Sequence, residues 1–344
     1  MKTFLFFTFL IFLGGLGKID TFLLSIIFLF FLFLLFLPYG KLELKTPPLS
    51  KTCFIFLLLY LLSLNWSLDK KATLWFFWLF LAGYLFWLFS FNFFYKEKEM
   101  IFNAMIFSGF LFLVLFLIYF LNGNEGIGPL GLYKLTSSKA NHNHLGDYWA
   151  LLTTLSLYKY FFEGRKRTWF YLLIIGFLVI FLSMSRASVV SLICGIFFLF
   201  RFFKDRKFSK FIVGLVVLLV LFFLYFGLEK SLIFSRQFYF QSLAGLLNYP
   251  FGVGMGNFRF ISSDPRNYLC GFSSFGLYAE GIIFEMLAGL GILGIVFIYF
   301  FLKNIWLIVF SQGKKILPEK ILFIILSVNF IFDYTYFIPA MLWL

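Results

Sequence analysis

Long apolar runs broken by short polar segments fill most of the chain. The runs fall at 3–17, 21–37, 52–66, 72–94, 100–121, 147–162, 168–183, 188–203, 211–227, 277–302 and 320–336. Their length predicts membrane-spanning helices, and the lack of alternation with period two argues against a barrel. The last run is short before Asp333, which can mark an external turn followed by a partial helix, so the pattern predicts eleven or twelve spans. Two longer polar stretches, 122–146 and 228–276, stand out as loops. With no internal repeat and no soluble segment of its own, the expectation is one all-α polytopic transmembrane bundle over 1–344.

Composition and charge sharpen this picture. The chain of 344 residues is 62% hydrophobic with mean hydropathy +0.97, and its 59 phenylalanines read as lipid-facing and packing bulk. A net charge of +14 would suit nucleic acid, but much of it lies in short loops between runs. Lys41, Lys45, Lys51, Lys96, Lys98, Arg165, Lys166, Arg167, Lys204, Arg206, Lys207, Lys210, Lys303, Lys314 and Lys315 fall on one side if the N-terminus is cytoplasmic. That asymmetry is a topology signal, so nucleic acid is set aside and both long loops are placed outside. Lys2 ahead of the first run is reminiscent of a signal peptide, but no small-x-small cleavage site follows, and the run is kept as a span. Cys53, Cys194 and Cys270 are scattered, which implies neither a disulfide framework nor a thiolate metal site.

Chemistry is expected where polar groups interrupt the hydrocarbon pattern. Ser183-Met184-Ser185-Arg186-Ala187-Ser188 divides 36 residues, Thr168 to Phe203, into two short spans joined by a tight external turn. Ser185 is placed to cap the second helix, and Arg186 beside that positive helix end would make an anion site suited to phosphate. The bland alternative is an interfacial arginine reaching for headgroups. In 228–248, helical spacing sets Leu232, Arg236, Tyr239, Leu243 and Leu247 on one side and Lys230, Gln237 and Gln241 opposite. This predicts an external amphipathic helix that turns Arg236 toward the bundle. Gly252, Gly254 and Gly256 alternate along a loop whose N–H groups can form an anion nest, with a plain turn as the competing reading.

Two carboxylates lie in the run from Leu277. Glu280 is expected near the surface as an accessible base, and Glu285 deeper, bound to a neighbouring helix or an arginine. Five residues apart on a helix, they would point roughly 140° from each other, which argues against a paired acid/base device. His142 and His144 open the span at Asp147, where capping, headgroup contact, substrate contact and proton transfer all compete. No further histidine or cysteine completes a zinc set there, so no metal or cofactor is expected. Arg259 and Arg266 are further candidates for substrate contact in the large loop, and Lys159 is expected to snorkel toward the cytoplasmic face.

Several of these stretches, in this order, resemble the O-antigen ligase and polymerase superfamily of bacterial membrane glycosyltransferases. The likeness is carried by Asn141 to Gly146 opening a helix, the Ser185-Arg186-Ala187 turn, Ser235-Arg236, and Asn248-Tyr249-Pro250-Phe251-Gly252-Val253-Gly254-Met255-Gly256-Asn257-Phe258. Phe284-Glu285-Met286-Leu287-Ala288-Gly289-Leu290-Gly291-Ile292-Leu293-Gly294 then looks like the family's Leu-Glu-x-Leu…Gly-x-x-Gly helix. Each motif is loose; the ordered set, from about Asn141 onward, is more specific. The resemblance implies a GT-C-like fold in the bacterial inner membrane. It also implies a polyprenyl-diphosphate-linked glycan donor and an acceptor hydroxyl on the periplasmic side, on lipid A core or on another lipid-linked glycan. Arg186 and Arg236, with Gly254 and Gly256, would hold the donor diphosphate. The ligases carry a His-Asn pair at the head of the long helix, where this chain has Glu280-Gly281, so Glu280 takes the expected role of base. Rival readings are an O-antigen polymerase, a protein O-oligosaccharyltransferase, a transporter of lipid-linked sugar, and a membrane scaffold.

Overall fold

The computed structural model describes residues 2–16, 45–47, 50–121, 141–164, 166–183, 185–200, 214, 217, 237–268, 275–311 and 318–333. Every regular element among these residues is helical. In chain order the α-helices are α1 Lys2–Leu16, α2 Ser50–Ser63, α3 Lys70–Phe89, α4 Lys98–Leu121, α5 Asn141–Tyr158 and α6 Arg167–Ser183. They continue as α7 Arg186–Phe200, α8 Gln237–Asn248, α9 Phe258–Ser262, α10 Ile282–Leu290, α11 Ile292–Ser311 and α12 Pro318–Phe332. Two segments among the described residues are long and apolar enough to cross a membrane, Lys70–Asn92 and Lys98–Leu115. Shorter apolar helices lie at Ser50–Ser63, Arg167–Ser183, Arg186–Leu199, Ile292–Asn304 and Lys320–Phe332. The expected span 21–37 and nearly all of 211–227 lie outside the described residues, as do loop residues 122–140.

The chain divides into two compact units, Met1–Lys18 with Ile101–Ser235 and Gln312–Met341, and Ile19–Met100 with Arg236–Ser311 and Leu342–Leu344. In the first, α5 is the central rod, and α6, α7 and α12 pack around it. It begins at Asn141, so His142 and His144 lie in its first turns rather than in a loop ahead of it. Its Thr153 and Thr154 hydroxyls return to the carbonyls of Trp149 and Ala150, which lets polar residues sit inside an apolar bundle. Tyr148 donates to the Met105 carbonyl at 2.9 Å, and Trp149 meets Phe110 edge-on, tying α5 to α4.

Lys159 departs from expectation. Instead of snorkelling, it is 1% exposed, at the start of a π-helical turn, Lys159–Glu163, that ends α5. Its Nζ lies 2.8 Å from Glu163 Oε2, 5.3 Å from the Phe102 ring centroid and 5.2 Å from that of Trp169. A carboxylate and two ring faces together replace the water that the ammonium would otherwise seek.

In the second unit, α2 and α3 pack through aromatic side chains, with Phe56 against Phe80 and stacked on Phe297 of α11 at 4.8 Å. Asp69 caps α3 by accepting from the N–H groups of Lys71 and Ala72. The run 277–302 is not one helix. Residues 277–281 precede α10 in non-helical conformation, and Gly291, with φ of +58°, separates α10 from α11. The fragment α10 has nine residues.

The amphipathic helix in the large loop forms as α8, with its faces reversed from expectation. Gln241, Ser242, Ala244 and Gly245 are buried, whereas Leu243 and Leu247 face outward. Small residues allow close packing on the inner side: a Cβ at Gly245 would lie 2.8 Å from Ile261 Cγ2. Below this helix, Val253, Phe258, Ile261, Ala279 and Ala288 form a small core with Phe238, Tyr249 and Phe284 against it.

Candidate functional site

The first unit gathers three stretches that lie far apart in the chain. The Ser-Arg-Ala-Ser turn folds as expected: the Ser185 carbonyl accepts from Val189 N–H, and its Oγ accepts from Ser188 N–H at 3.3 Å. Ser183 Oγ in turn accepts from Ser185 N–H. Ser185 is thus the N-cap of the 15-residue helix α7, and Arg186 is its first residue. The opening amides of such a helix have no carbonyl four residues back, so they present donors and a positive dipole end beside the guanidinium. Among the described residues, no carboxylate pairs with Arg186, and its side chain is half-buried.

Behind the turn lies a closed polar cluster. Asp147 of α5 is fully buried, and its Oδ1 accepts from Ser188 Oγ at 2.6 Å. Its Oδ2 is buried with no hydrogen-bond partner among the described residues. Asp333, just past the end of α12, lies 3.9 Å from His144 Nε2, and Asn329 Nδ2 donates to the Asp147 carbonyl at 3.4 Å. Gly146 makes the junction possible, since a Cβ there would run into the hydroxyls of Ser183 and Ser188. Of the residues picked from sequence, the cluster unites His144 and Ser185 and places Arg186 on its rim. The side chain of His142 is outside the described residues, and so is Arg236. Ser188, Asn329 and the place of Asp333 in the cluster were missed; the one available signal was a lone Asn and a lone Asp at the end of an apolar run.

The second unit uses its polar residues to hold itself together. Gly252, Gly254 and Gly256 have φ of +78°, +88° and +78°, so the loop curls with successive N–H groups turned inward. Those groups are already engaged. Val253 N–H donates to the Ala288 carbonyl and Gly254 N–H to that of Gly289, while Gly256 N–H donates to Glu285 Oε1 at 3.1 Å. The nest therefore grips the helix end at Gly291 and an internal carboxylate, so the N–H groups of Gly254 and Gly256 have acceptors within the protein. Glu285 Oε2 also accepts from Ala279 N–H at 2.9 Å, so Glu285 binds loop backbone, not an arginine. This bond draws 279 across the head of α10, which is why the helix starts only after Gly281.

Glu280 is consequently not one turn down a helix but on the bent, non-helical stretch before it, half-exposed, with its carbonyl accepting from Tyr239 OH at 3.3 Å. The angle expected between Glu280 and Glu285 does not apply. Arg259 is ion-paired with Asp69, and Arg266 Nη2 lies 2.7 Å from Asp264 Oδ2. The Arg266 hydrogen bonds hold the Asp264 carboxyl at about 2, and Asp264 shares Tyr249 OH with Arg266. Both arginines offered as substrate contacts thus have their charge balanced, Arg266 by Asp264 in the same loop and Arg259 by Asp69 at the head of α3. Asn257 is a residue that sequence reading overlooked: its Nδ2 lies within hydrogen-bonding distance of Ser67 Oγ, Thr73 Oγ1 and the carbonyls of Asp69 and Val253. No group of three or more His, Cys, Asp or Glu suited to a metal ion occurs among the described residues.

No protein-family model, curated protein or solved structure matches the chain.

Proposed function

We propose that the chain is a multi-pass glycosyltransferase of the bacterial inner membrane, acting on the periplasmic side. It would move a glycan from a polyprenyl-diphosphate carrier to an acceptor hydroxyl. The observation that supports this reading is the Ser185–Arg186 turn: a capped helix end and a guanidinium without a carboxylate partner among the described residues. Such a helix end favours phosphate, and the guanidinium is the group best shaped to hold it. The resemblance gives the same diphosphate role to Arg236 and the role of base to Glu280.

In the proposed reaction, the acceptor oxygen attacks the anomeric carbon while the bond from that carbon to the phosphate oxygen breaks. The electron pair leaves on the diphosphate, where cationic groups stabilise it, and the hydroxyl proton passes to the base. A single displacement inverts the anomeric centre. The test is transfer from a lipid-linked glycan in membranes carrying Arg186→Ala or Arg236→Ala. The expected result is loss of transfer with normal membrane insertion, and near-wild-type transfer in either variant overturns the diphosphate assignment. The acceptor is read from the products of a deletion strain: uncapped core with free polymer identifies a ligase, and core bearing one repeat a polymerase.

A further inference from the structure

We infer that α8 lies in the interfacial layer of a lipid bilayer with its apolar stripe turned outward into lipid. This stands on the second unit alone and holds whether or not the glycosyl-transfer reading does. Phe240, Leu243 and Leu247 follow one another at helical spacing along the outer face, and Phe251 continues the line past the end of the helix. Leu247 is 86% exposed and Phe251 63%. The inner face buries Gln241, Ser242, Ala244 and Gly245, with Phe238 as its one large apolar anchor in the core. A helix bathed in water would be built the other way round.

Lipid, rather than a protein partner, is the occupant that the neighbouring structure favours. Ile292 N–H donates to the Pro250 carbonyl at 2.9 Å, which joins the end of the α8 stripe to the head of α11. There the exposed apolar surface continues along α11 through Ile292, Ile295, Val296, Tyr299 and Phe300. Exposed apolar side chains on both α8 and α11, whose neighbouring ends this hydrogen bond joins, suit hydrocarbon. Just past the end of α8, Tyr249 and the exposed Arg266 form a hydrogen-bonded group with Asp264, of the aromatic and cationic kind found at headgroup level. Together these set a depth: the stripe among acyl chains and the Tyr249–Arg266 group at the headgroups.

The experiment places a nitroxide at Leu247→Cys, and separately at Leu243→Cys, in the full chain with Cys53, Cys194 and Cys270 replaced by serine. The protein is held in nanodiscs of phosphatidylethanolamine and phosphatidylglycerol. Collision rates with oxygen, which concentrates in hydrocarbon, are compared with those of a water-soluble nickel chelate, and Ser263→Cys on the exposed end of α9 serves as the water reference. The expected result is a several-fold higher oxygen-to-nickel ratio at 243 and 247 than at 263. A ratio at 247 equal to that at 263 overturns the proposal, because the stripe then faces water. Low collision with both reagents at 247 also overturns it, because a second copy or another protein then covers the face.

Discussion

Single residues in this protein divide into those whose hydroxyl or charge is satisfied by their own helix and those that reach across helices. Ser191 belongs to the first kind, since its hydroxyl donates to the carbonyls of Ala187 and Ser188. Ser188, three residues earlier, donates to a fully buried carboxyl on another helix. Ser188→Ala is therefore expected to cost about 1–3 kcal/mol, the cost of leaving a buried acceptor unsatisfied. Ser191→Ala should stay within about 0.5 kcal/mol. Thermal unfolding of the two variants in the same detergent compares them directly. Asp264 adds a pH dependence. Its folded value of about 2 lies below the unfolded carboxyl's, so its contribution is complete above about pH 4 and is lost as pH falls toward 2. Hydrogen exchange of residues 249–267 should show that acid limb, and Asp264→Asn should abolish it. At this scale the sequence was informative where one residue acts locally, as with the Ser185 cap. It was silent about Lys159, because the rings of Phe102 and Trp169 that shelter it come from other helices.

Among the elements, the break between α10 and α11 explains most of what hydropathy missed. Averaging over 277–302 cannot distinguish one helix from two, since a glycine costs little in such a window and both fragments are apolar. What decides the matter is the loop from Pro250 to Asn257, which supplies partners for the carbonyls of Ala288 and Gly289 and donates Gly256 N–H to Glu285. Glu285→Gln replaces one of two acceptor oxygens by a donor group, so either Gly256 N–H or Ala279 N–H loses its partner. The expected loss is about 1–3 kcal/mol, measured as a lower midpoint of unfolding. Gly256→Ala should be at least as damaging, since φ there is +78° and the added methyl would strike the Phe76 ring. The reversed faces of α8 were missed for a related reason. Helical periodicity finds the stripe of Leu243 and Leu247 correctly but does not say which way it faces.

At the scale of the whole molecule, the abundance of helix among the described residues was legible from the apolar runs, because runs and helix caps are local signals. The juxtaposition of Asp147, Ser188, Asn329 and Asp333 was not, since it depends on how α5, α7 and α12 pack. Membrane residence is expected to show as retention of the full chain in the pellet after alkaline carbonate washing, with release into detergent; appearance in the carbonate supernatant would contradict it. The hook at Gly291 has a further consequence for biogenesis. At about 1.5 Å per residue, α10 rises only about 14 Å, less than half of a hydrocarbon core of about 30 Å. If the translocon released α10 and α11 sideways before the glycine loop had docked, the carbonyl of Ala288 would enter lipid bare and that of Gly289 would keep only the Trp66 indole N–H. The loop precedes both fragments in synthesis, so it is already available when they emerge, and the order of the chain matches the order of assembly.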